Sequence, residues 1–202
     1  MADISALLSD EALQAEAASR LSESRRTRTQ AMGNVRSRCL SLGVGLLLDQ
    51  LLAEVGLRER DMEYTEGPHG KPEIKRECLG SGMSVVAFNL SHSVSMVAAA
   101  LLADADGYAI GIDIQRITRY RPELVRRAFP ASAREQLAAA TNDTDREQLF
   151  AKMWSRNEAY AKATGDGLQM PSPIPPSNAV FFDFQVGEDY WSTLCILSPS
   201  TP

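Results

Sequence analysis

Apolar side chains recur at helical spacing early in the chain. Between Val35 and Val55 they fall mostly three or four residues apart, which predicts an amphipathic helix that ends at Gly56. A shorter helix is expected from Asp10 to about residue 21, because an acidic start precedes an alanine-rich stretch. The polar and basic stretch 22–34 between them is compatible with either a helix or a loop.

Short apolar runs between turn sequences predict strands in the middle of the chain. One such run is Val85–Leu90. The runs Met96–Ala103 and Tyr108–Ile114 flank the turn sequence Asp104–Gly107, so we expect them to pair as a hairpin. Upstream, Gly67–Gly70 is expected to turn the chain into a short edge strand.

Two further helices and a second hairpin are predicted in the last third of the chain. The helices span about 132–140 and 145–164 and stop at Gly165, and a proline-rich linker follows. The runs Ala179–Val186 and Tyr190–Leu197 then flank a short turn, which predicts the closing hairpin.

Helices followed by a hairpin therefore occur twice along the chain. The sequence predicts an α+β fold of two similar halves, residues 1–108 and 109–202, each a small, mostly antiparallel sheet packed by helices. We expect the halves to form one closely packed unit with a ligand cleft between them, since such clefts are common binding sites.

Composition excludes several classes of protein. The 202 residues include three widely spaced cysteines and two histidines, which argues against a disulfide framework and a Cys- or His-rich zinc site. The longest clean apolar run, Met96–Ala103, is far shorter than the roughly 20 residues of a membrane helix. The acidic start at Asp3 does not resemble a secretory signal, and the sparse cysteines fit a reducing compartment, so we expect a cytoplasmic protein with no membrane contact. We also expect a monomer.

The net charge of −5 hides two basic segments. The first basic segment, residues 24–48, holds five arginines and no acid. The second basic segment, residues 116–134, holds six arginines and one acid. Arginine clusters in an otherwise acidic chain favour specific anionic partners, because the guanidinium fork matches phosphate and carboxylate groups. The alternative is that these segments are only solvated helix faces.

Three segments combine polar groups that suit chemistry on phosphates. Asp113 and Gln115 share one face of a strand, and Glu158 and Lys162 share one face of a helix. Asp113 and Glu158 together would supply two hard oxygen ligands for Mg²⁺, which takes its remaining ligands from water and phosphate. Lys162 would then supply a donor to phosphate, as would Lys71 and His92 upstream.

Each of these residues also has a plainer interpretation. Glu158 and Lys162 have the spacing of a routine surface ion pair, and Asp113 has the position of a strand-end turn residue. His92 has the pattern of a core histidine that bonds to the backbone.

The ordered set of motifs resembles the 4′-phosphopantetheinyl transferases of the longer, surfactin-synthetase-activating type. The resemblance runs from about residue 20 to the end of the chain. The matching motifs are Gly70-Lys71-Pro72, Phe88–Ser93, Gly111–Ile114, the spacing Trp154, Glu158, Lys162, and Gly165–Leu168.

The resemblance implies two pseudo-symmetric halves that bind coenzyme A and Mg²⁺ between them. The enzymes of this family move the phosphopantetheine arm of coenzyme A to a serine of an acyl, polyketide or peptidyl carrier protein and release adenosine 3′,5′-bisphosphate. By the same resemblance, 1–108 is the coenzyme A side and 109–202 is the metal and carrier-protein side.

The resemblance also implies roles for single residues. The metal ligands would be Asp113, Glu158 and Gln115, and the catalytic residues would be Glu158, Lys162 and Asp113. The coenzyme A site would use Arg25, Arg28, Arg38, Lys71, Ser91, His92 and Lys162. The serine proton would pass to Glu158 or to a water on the ion, and the sequence does not choose between them.

The chain departs from the family pattern at three positions. Gln115 stands where many members have Glu, and Asn157 stands where they commonly have Lys. Leu40 stands where an Arg is frequent, with Arg38 as a nearby substitute. These departures keep open the alternative of a degenerate relative that binds coenzyme A or a carrier protein without transferring the arm.

The second basic segment acquires a function under this resemblance. Carrier proteins of this system are acidic along their recognition helix, and residues 116–134 would form a basic and apolar surface beside the metal-binding strand. A nucleic-acid-binding module is the third alternative, and the acidic remainder of the chain argues against it.

Overall fold

The computed structural model describes residues 1–67, 70–80 and 85–199. Pro68 and His69 of the predicted Gly67–Gly70 turn lie outside the described residues. The chain divides into two compact units, Met1–Tyr108 and Ala109–Pro202. Within the described ranges, no helix has the length and apolar character needed to cross a bilayer.

The described residues of the first unit form four α-helices and five short strands. The helices are α1 Ser5–Ser9, α2 Glu11–Ser19, α3 Glu23–Gln30 and α4 Val35–Glu54. The strands are β1 Ala2–Asp3, β2 Tyr64–Glu66, β3 Pro72–Ile74, β4 Ala87–Ser93 and β5 Met96–Leu102. The helix predicted over residues 35–55 is confirmed as α4, and the ambiguous stretch 22–34 contains α3.

The long helix α4 packs on an antiparallel sheet with strand order β1-β5-β4. Leu48 and Leu52 of α4 are fully buried in a cluster with Phe88 of β4. Side chains at the helix starts accept backbone hydrogen bonds, as Ser22 does from Arg25 N and Asn34 from Ser37 N. Strands β2 and β3 form a separate antiparallel pair.

The second unit places three helices between its first strand and its last two. The helices are α5 Pro122–Ala128, α6 Ala131–Ala138 and α7 Asp143–Thr164. The strands are β6 Ala109–Arg116, β7 Ala179–Val186 and β8 Tyr190–Leu197. The closing hairpin is confirmed as β7 and β8, and α7 ends as predicted at Gly165, whose φ is 75°.

The three-stranded sheets of the two units have the same strand order. In each, a first strand precedes the helices, and two later strands follow as an antiparallel hairpin. The last strand of each unit, β5 or β8, lies in the centre of its three-stranded sheet and pairs with both others. The predicted α+β fold of small antiparallel sheets packed by helices is therefore confirmed.

The predicted hairpin of Met96–Ala103 with Tyr108–Ile114 is wrong. β5 pairs with β4, and β6 pairs with β8. The β4–β5 turn places Val94 at φ 59°, a conformation that β-branched residues rarely adopt. This turn is not apparent from the sequence, because it lacks the glycine or asparagine that tight hairpin turns usually contain. Residues Asp104–Gly107 do form a turn, but it links strands of two different sheets.

The backbones of α7 and β6 approach very closely at Gly111. A Cβ atom at this position would lie 2.0 Å from the carbonyl O of Ala159 and 2.5 Å from the amide N of Ala163. Since both obstacles are backbone atoms of a helix, no side-chain movement could relieve the overlap. Gly111 is therefore required for α7 to pack on this strand.

We expect Gly111→Ala to lower the free energy of unfolding by about 3 kcal/mol, since overpacking against fixed backbone forces the helix off the sheet. Urea unfolding followed by circular dichroism measures this change. Gly33→Ala is the matched control, because nothing lies within 4 Å of the added Cβ. Equal stability of the two variants would contradict the close contact.

Candidate active site

Asp113 lies in the middle of β6, buried, on the strand face that also carries Gly111. Its backbone carbonyl O accepts two hydroxyl hydrogen bonds, from Ser192 Oγ at 2.7 Å and Ser155 Oγ at 3.2 Å. Ser192 belongs to β8 and Ser155 to α7, so neighbours on two elements fix the position of this residue. Asp113 is therefore not the strand-end turn residue of the plainer interpretation.

Lys162 reaches from α7 to β6. Its Nζ donates to Asp113 Oδ1 at 2.7 Å and to the carbonyl O of Ile112 at 3.2 Å. The side chain is only 27% exposed and that of Asp113 only 8%. Lys162 is therefore paired with the buried Asp113. The plainer interpretation, a surface ion pair with Glu158, does not account for this contact.

Glu158 lies one helical turn before Lys162 and is half-buried. Burial raises the pKa of its carboxyl, and the negative charge of Asp113 raises that pKa further. The Lys162 ammonium acts in the opposite direction on the same pKa. Two carboxylates and one ammonium thus form one coupled group, which we call the acidic cluster: Asp113, Glu158 and Lys162.

The two carboxylates of the acidic cluster are oxygen donors of the kind that Mg²⁺ takes from proteins. No group of three or more His, Cys, Asp or Glu side chains able to hold a metal occurs within residues 1–67, 70–80 and 85–199. Mg²⁺ needs only one or two protein carboxylates when phosphate and water complete its shell. A cation is also already drawn to Asp113, since the Lys162 ammonium binds its Oδ1. The donor set therefore fits a hard divalent cation.

Two neighbouring polar residues are arranged differently from the acidic cluster. Gln115 is half-exposed, and its Nε2 donates to the Arg116 carbonyl O at 2.9 Å. Asn157 has a buried Nδ2 for which the described part of the chain offers no hydrogen-bond partner. The amide of Gln115 is thus turned to the backbone of its own strand.

The first unit contains a buried carboxylate that the sequence did not mark. Glu59 is fully buried and accepts from Arg25 Nε at 2.8 Å, Tyr64 Oη at 3.0 Å and Ser22 N at 2.6 Å. Arg25, one of the proposed coenzyme A residues, therefore has one side of its guanidinium committed to this network. A single glutamate in a polar loop carries no pattern that distinguishes it from exposed neighbours.

The remaining proposed coenzyme A residues lie on separate elements of the first unit. Arg28 is exposed on α3, and Arg38 of α4 donates to the Met32 carbonyl O at 3.1 Å. Burial lowers the pKa of Lys71. Ser91 and His92 are adjacent on β4, the serine buried and the histidine exposed, so His92 is not a core histidine.

The second basic segment is a solvent-exposed surface. All six of its arginines are exposed: Arg116, Arg119, Arg121, Arg126, Arg127 and Arg134. Arg126 pairs with Glu123 on the same helix, α5. Beneath them, Val125 and Phe129 anchor the segment in an apolar cluster with Phe150 of α7. The basic charges are thus held on a packed scaffold.

Glu158→Gln tests the electrostatics of the acidic cluster in buffer containing EDTA. Because the folded-state pKa of Glu158 lies above its usual value of 4.5, its contribution to stability is present at low pH. That contribution is lost as the pH rises through the folded-state pKa. We therefore expect the variant to be more stable than the wild type near neutral pH, with a difference that shrinks as the pH falls toward 4.5.

Urea titrations at several pH values measure this difference. Glu135→Gln, at an exposed position on α6, should leave the free energy of unfolding nearly unchanged. A Glu158→Gln protein that is less stable than the wild type near neutral pH would contradict the burial of an ionised carboxylate.

The second unit, which contains the acidic cluster, is similar to a known protein family. The family model described as the 4′-phosphopantetheinyl transferase superfamily matches residues 109–197. This range contains Asp113, Glu158 and Lys162 together with the second basic segment.

Three similar proteins are 4′-phosphopantetheinyl transferases. HetI of Nostoc sp. (strain PCC 7120) is 32% identical over 133 residues, which cover 65% of this chain and 53% of that protein. Sfp of Bacillus subtilis (strain 168) is 28% identical, with coverage of 64% and 53%. The gsp protein of Aneurinibacillus migulanus is 25% identical, with coverage of 68% and 53%. The matched region thus spans about half the length of these relatives.

A solved structure, the holo-[acyl-carrier-protein] synthase of Thermotoga maritima, is more distant. It aligns with a TM-score of 0.37 and 18% identity over 45% of this chain and 63% of that one. The matches to the family model and to the three transferases agree with each other. Residues 109–197 of the chain are thus similar to the 4′-phosphopantetheinyl transferase superfamily.

Proposed function

We propose that the protein is an enzyme that transfers the 4′-phosphopantetheine arm of coenzyme A to a serine of an acyl, polyketide or peptidyl carrier protein. One observation supports this proposal most directly. In the sequence, Glu158 and Lys162 of α7 lie 45 and 49 residues after Asp113 of β6. In the structure the three side chains form a single cluster, which lies inside the region matched by the family model. The comparisons give no support to the alternative of a relative without transferase activity.

Mg²⁺ would be held by Asp113 and Glu158. When bound, this ion would supply positive charge against the diphosphate of coenzyme A and its leaving oxygen. Gln115 stays a third candidate ligand through its amide oxygen, although its Nε2 is engaged by the Arg116 carbonyl O.

The chain's own residues would position the reactants and accept the proton. The carrier serine oxygen forms a bond to the β-phosphorus, and the bond from that phosphorus to the bridging oxygen breaks. Glu158 would take the serine proton. Lys162 donates to the diphosphate and stabilises the charge of the departing adenosine 3′,5′-bisphosphate.

The first unit would bind the nucleotide end of coenzyme A. Arg28 and the guanidinium of Arg25 are candidates for the 3′-phosphate, since both lie on α3. The other candidates for this end are Arg38, Lys71, Ser91 and His92. Because Glu59 fixes Arg25 through Nε, the terminal nitrogens of that guanidinium are presented in a defined orientation.

The second basic segment would receive the carrier protein. Its exposed arginines, anchored by Val125 and Phe129, suit an acidic helix, with charge accelerating the encounter and apolar contacts extending it. A cytoplasmic location is part of the same proposal, and the free thiols of Cys39, Cys78 and Cys195 support it.

Mass spectrometry of apo-carrier proteins tests the proposed reaction. After incubation with coenzyme A and Mg²⁺, we expect one carrier class to gain one phosphopantetheine group per chain. Asp113→Ala should reduce the transfer rate by a factor of about 100 or more, because the ion loses one of its two proposed carboxylate ligands. Asp106→Ala, at an exposed position in a loop, is the matched control and should transfer normally. Full activity of Asp113→Ala would exclude the acidic cluster as the active site.

Charge reversal tests the carrier surface separately. We expect the double variant Arg126→Glu, Arg127→Glu to show a severalfold higher KM for the carrier protein and an unchanged KM for coenzyme A. The defect should shrink at high salt, since exposed charges are screened over a Debye length of about 8 Å at physiological ionic strength. The double variant Arg60→Glu, Arg76→Glu, at exposed positions of the first unit, is the control. A raised KM for coenzyme A would instead assign the segment to the nucleotide.

A further inference from the structure

The buried carboxylate of Asp113 already has a cation bound to it. Lys162 Nζ lies 2.7 Å from Asp113 Oδ1 and is held in place by a second acceptor, the Ile112 carbonyl O, at 3.2 Å. The two acceptors hold the ammonium against Asp113 Oδ1, a carboxylate oxygen that could also ligate a divalent cation.

This ion pair is shielded more than another one on the same helix. The side chains of Lys162 and Asp113 are 27% and 8% exposed. Lys152 of α7 lies 3.3 Å from Asp183, with exposures of 35% and 14%, and shares that carboxylate with Arg156. Because Coulomb interactions strengthen as water is excluded, the attraction between Lys162 and Asp113 is screened less than that between Lys152 and Asp183.

The positive charge of Lys162 opposes entry of a second cation while the ammonium stays beside Asp113. Asp113 and Glu158 contribute two negative charges and Lys162 one positive charge, and the neighbouring Gln115 is neutral. A dication bound to Asp113 would lie within a few ångströms of the ammonium, and like charges at that distance repel strongly in a partly buried site. A diphosphate changes this balance, because it offers new acceptors to the ammonium and new oxygen ligands to the dication.

We propose that Lys162 is a resident counter-cation that keeps a divalent metal off Asp113 until a diphosphate ligand draws the ammonium away. The inference rests on the proposed function for the identity of that ligand, the diphosphate of coenzyme A. It adds a regulation of the site: the metal and coenzyme A bind as a coupled pair, and Lys162 enforces the coupling. By reciprocity, the metal then tightens coenzyme A binding by the same factor.

Mn²⁺ binding measured by electron paramagnetic resonance tests the inference without any turnover. We expect the wild-type protein to bind Mn²⁺ weakly alone and far more tightly with coenzyme A. In Lys162→Met, Mn²⁺ alone should bind at least about tenfold more tightly than in the wild type, and added coenzyme A should improve binding much less. Lys162→Gln, which keeps a polar group without the charge, should behave in the same way.

Lys152→Met is the matched control, since it removes an ammonium from a different ion pair of α7, and its Mn²⁺ binding should equal that of the wild type. Thermal unfolding of each variant verifies that it is folded. The inference is overturned if both Lys162 variants bind Mn²⁺ alone as weakly as the wild type, or if coenzyme A improves Mn²⁺ binding equally in all proteins.

The transfer assay separates this inference from the proposed function. If the wild-type protein modifies no carrier and the Lys162 variants still bind Mn²⁺ more tightly, the counter-cation role is supported and the transferase proposal fails. If the wild-type protein transfers the arm and the Lys162 variants show no change in Mn²⁺ binding, the transferase proposal is supported and the counter-cation role is overturned.

Discussion

Backbone contact between α7 and β6 at Gly111 is the constraint on which the candidate site depends. A helix that lies this close to a strand cannot rotate or slide without overlap, since a mere Cβ would come within 2.0 Å of the Ala159 carbonyl O. The contact therefore fixes which turn of α7 faces which residue of β6. Glu158 and Lys162 flank Ala159 along the helix, and Asp113 lies two residues beyond Gly111 on the same strand face. Packing by a residue without a side chain thus sets the distances among three charged groups.

Buried charge organises the first unit in a different way. Asp49 of α4 accepts from Arg58 Nη2 at 2.7 Å and from the amide N of Glu59 at 3.1 Å, and Glu59 in turn accepts from Arg25. Such networks contribute little net stability, because desolvation offsets the Coulomb attraction, but they leave few alternative arrangements. The start of α3 is consequently tied to the segment after α4 by directional bonds rather than by apolar packing alone.

Much of the site could be predicted because its information is local. Side chains alternate with a period of two along a strand, which assigns Asp113 to a strand face. Helical spacing of three to four residues assigns Glu158 and Lys162 to one helix face. The order of the motifs indicated that the two faces meet. Other features depend on contacts distant in sequence. The hydrogen bond of Lys162 to Asp113, the burial of Glu59 and the pairing of β6 with β8 are all of this kind. The turn at Val94 was missed for a local reason: the residue with positive φ is a valine, and no glycine indicates the turn.

The central position of the last strand in each sheet bears on how the chain acquires its structure during synthesis. In each three-stranded sheet the two outer strands do not pair with each other. The strands β1 and β4 therefore need β5 for their backbone hydrogen bonds within the sheet, and β6 and β7 need β8. The first sheet is complete once residue 102 has left the ribosome, whereas β6 waits without a backbone partner for the roughly 75 residues that separate it from β8. A ribosome-bound chain truncated before residue 190 would therefore hold a finished first sheet and an unpaired Asp113 strand.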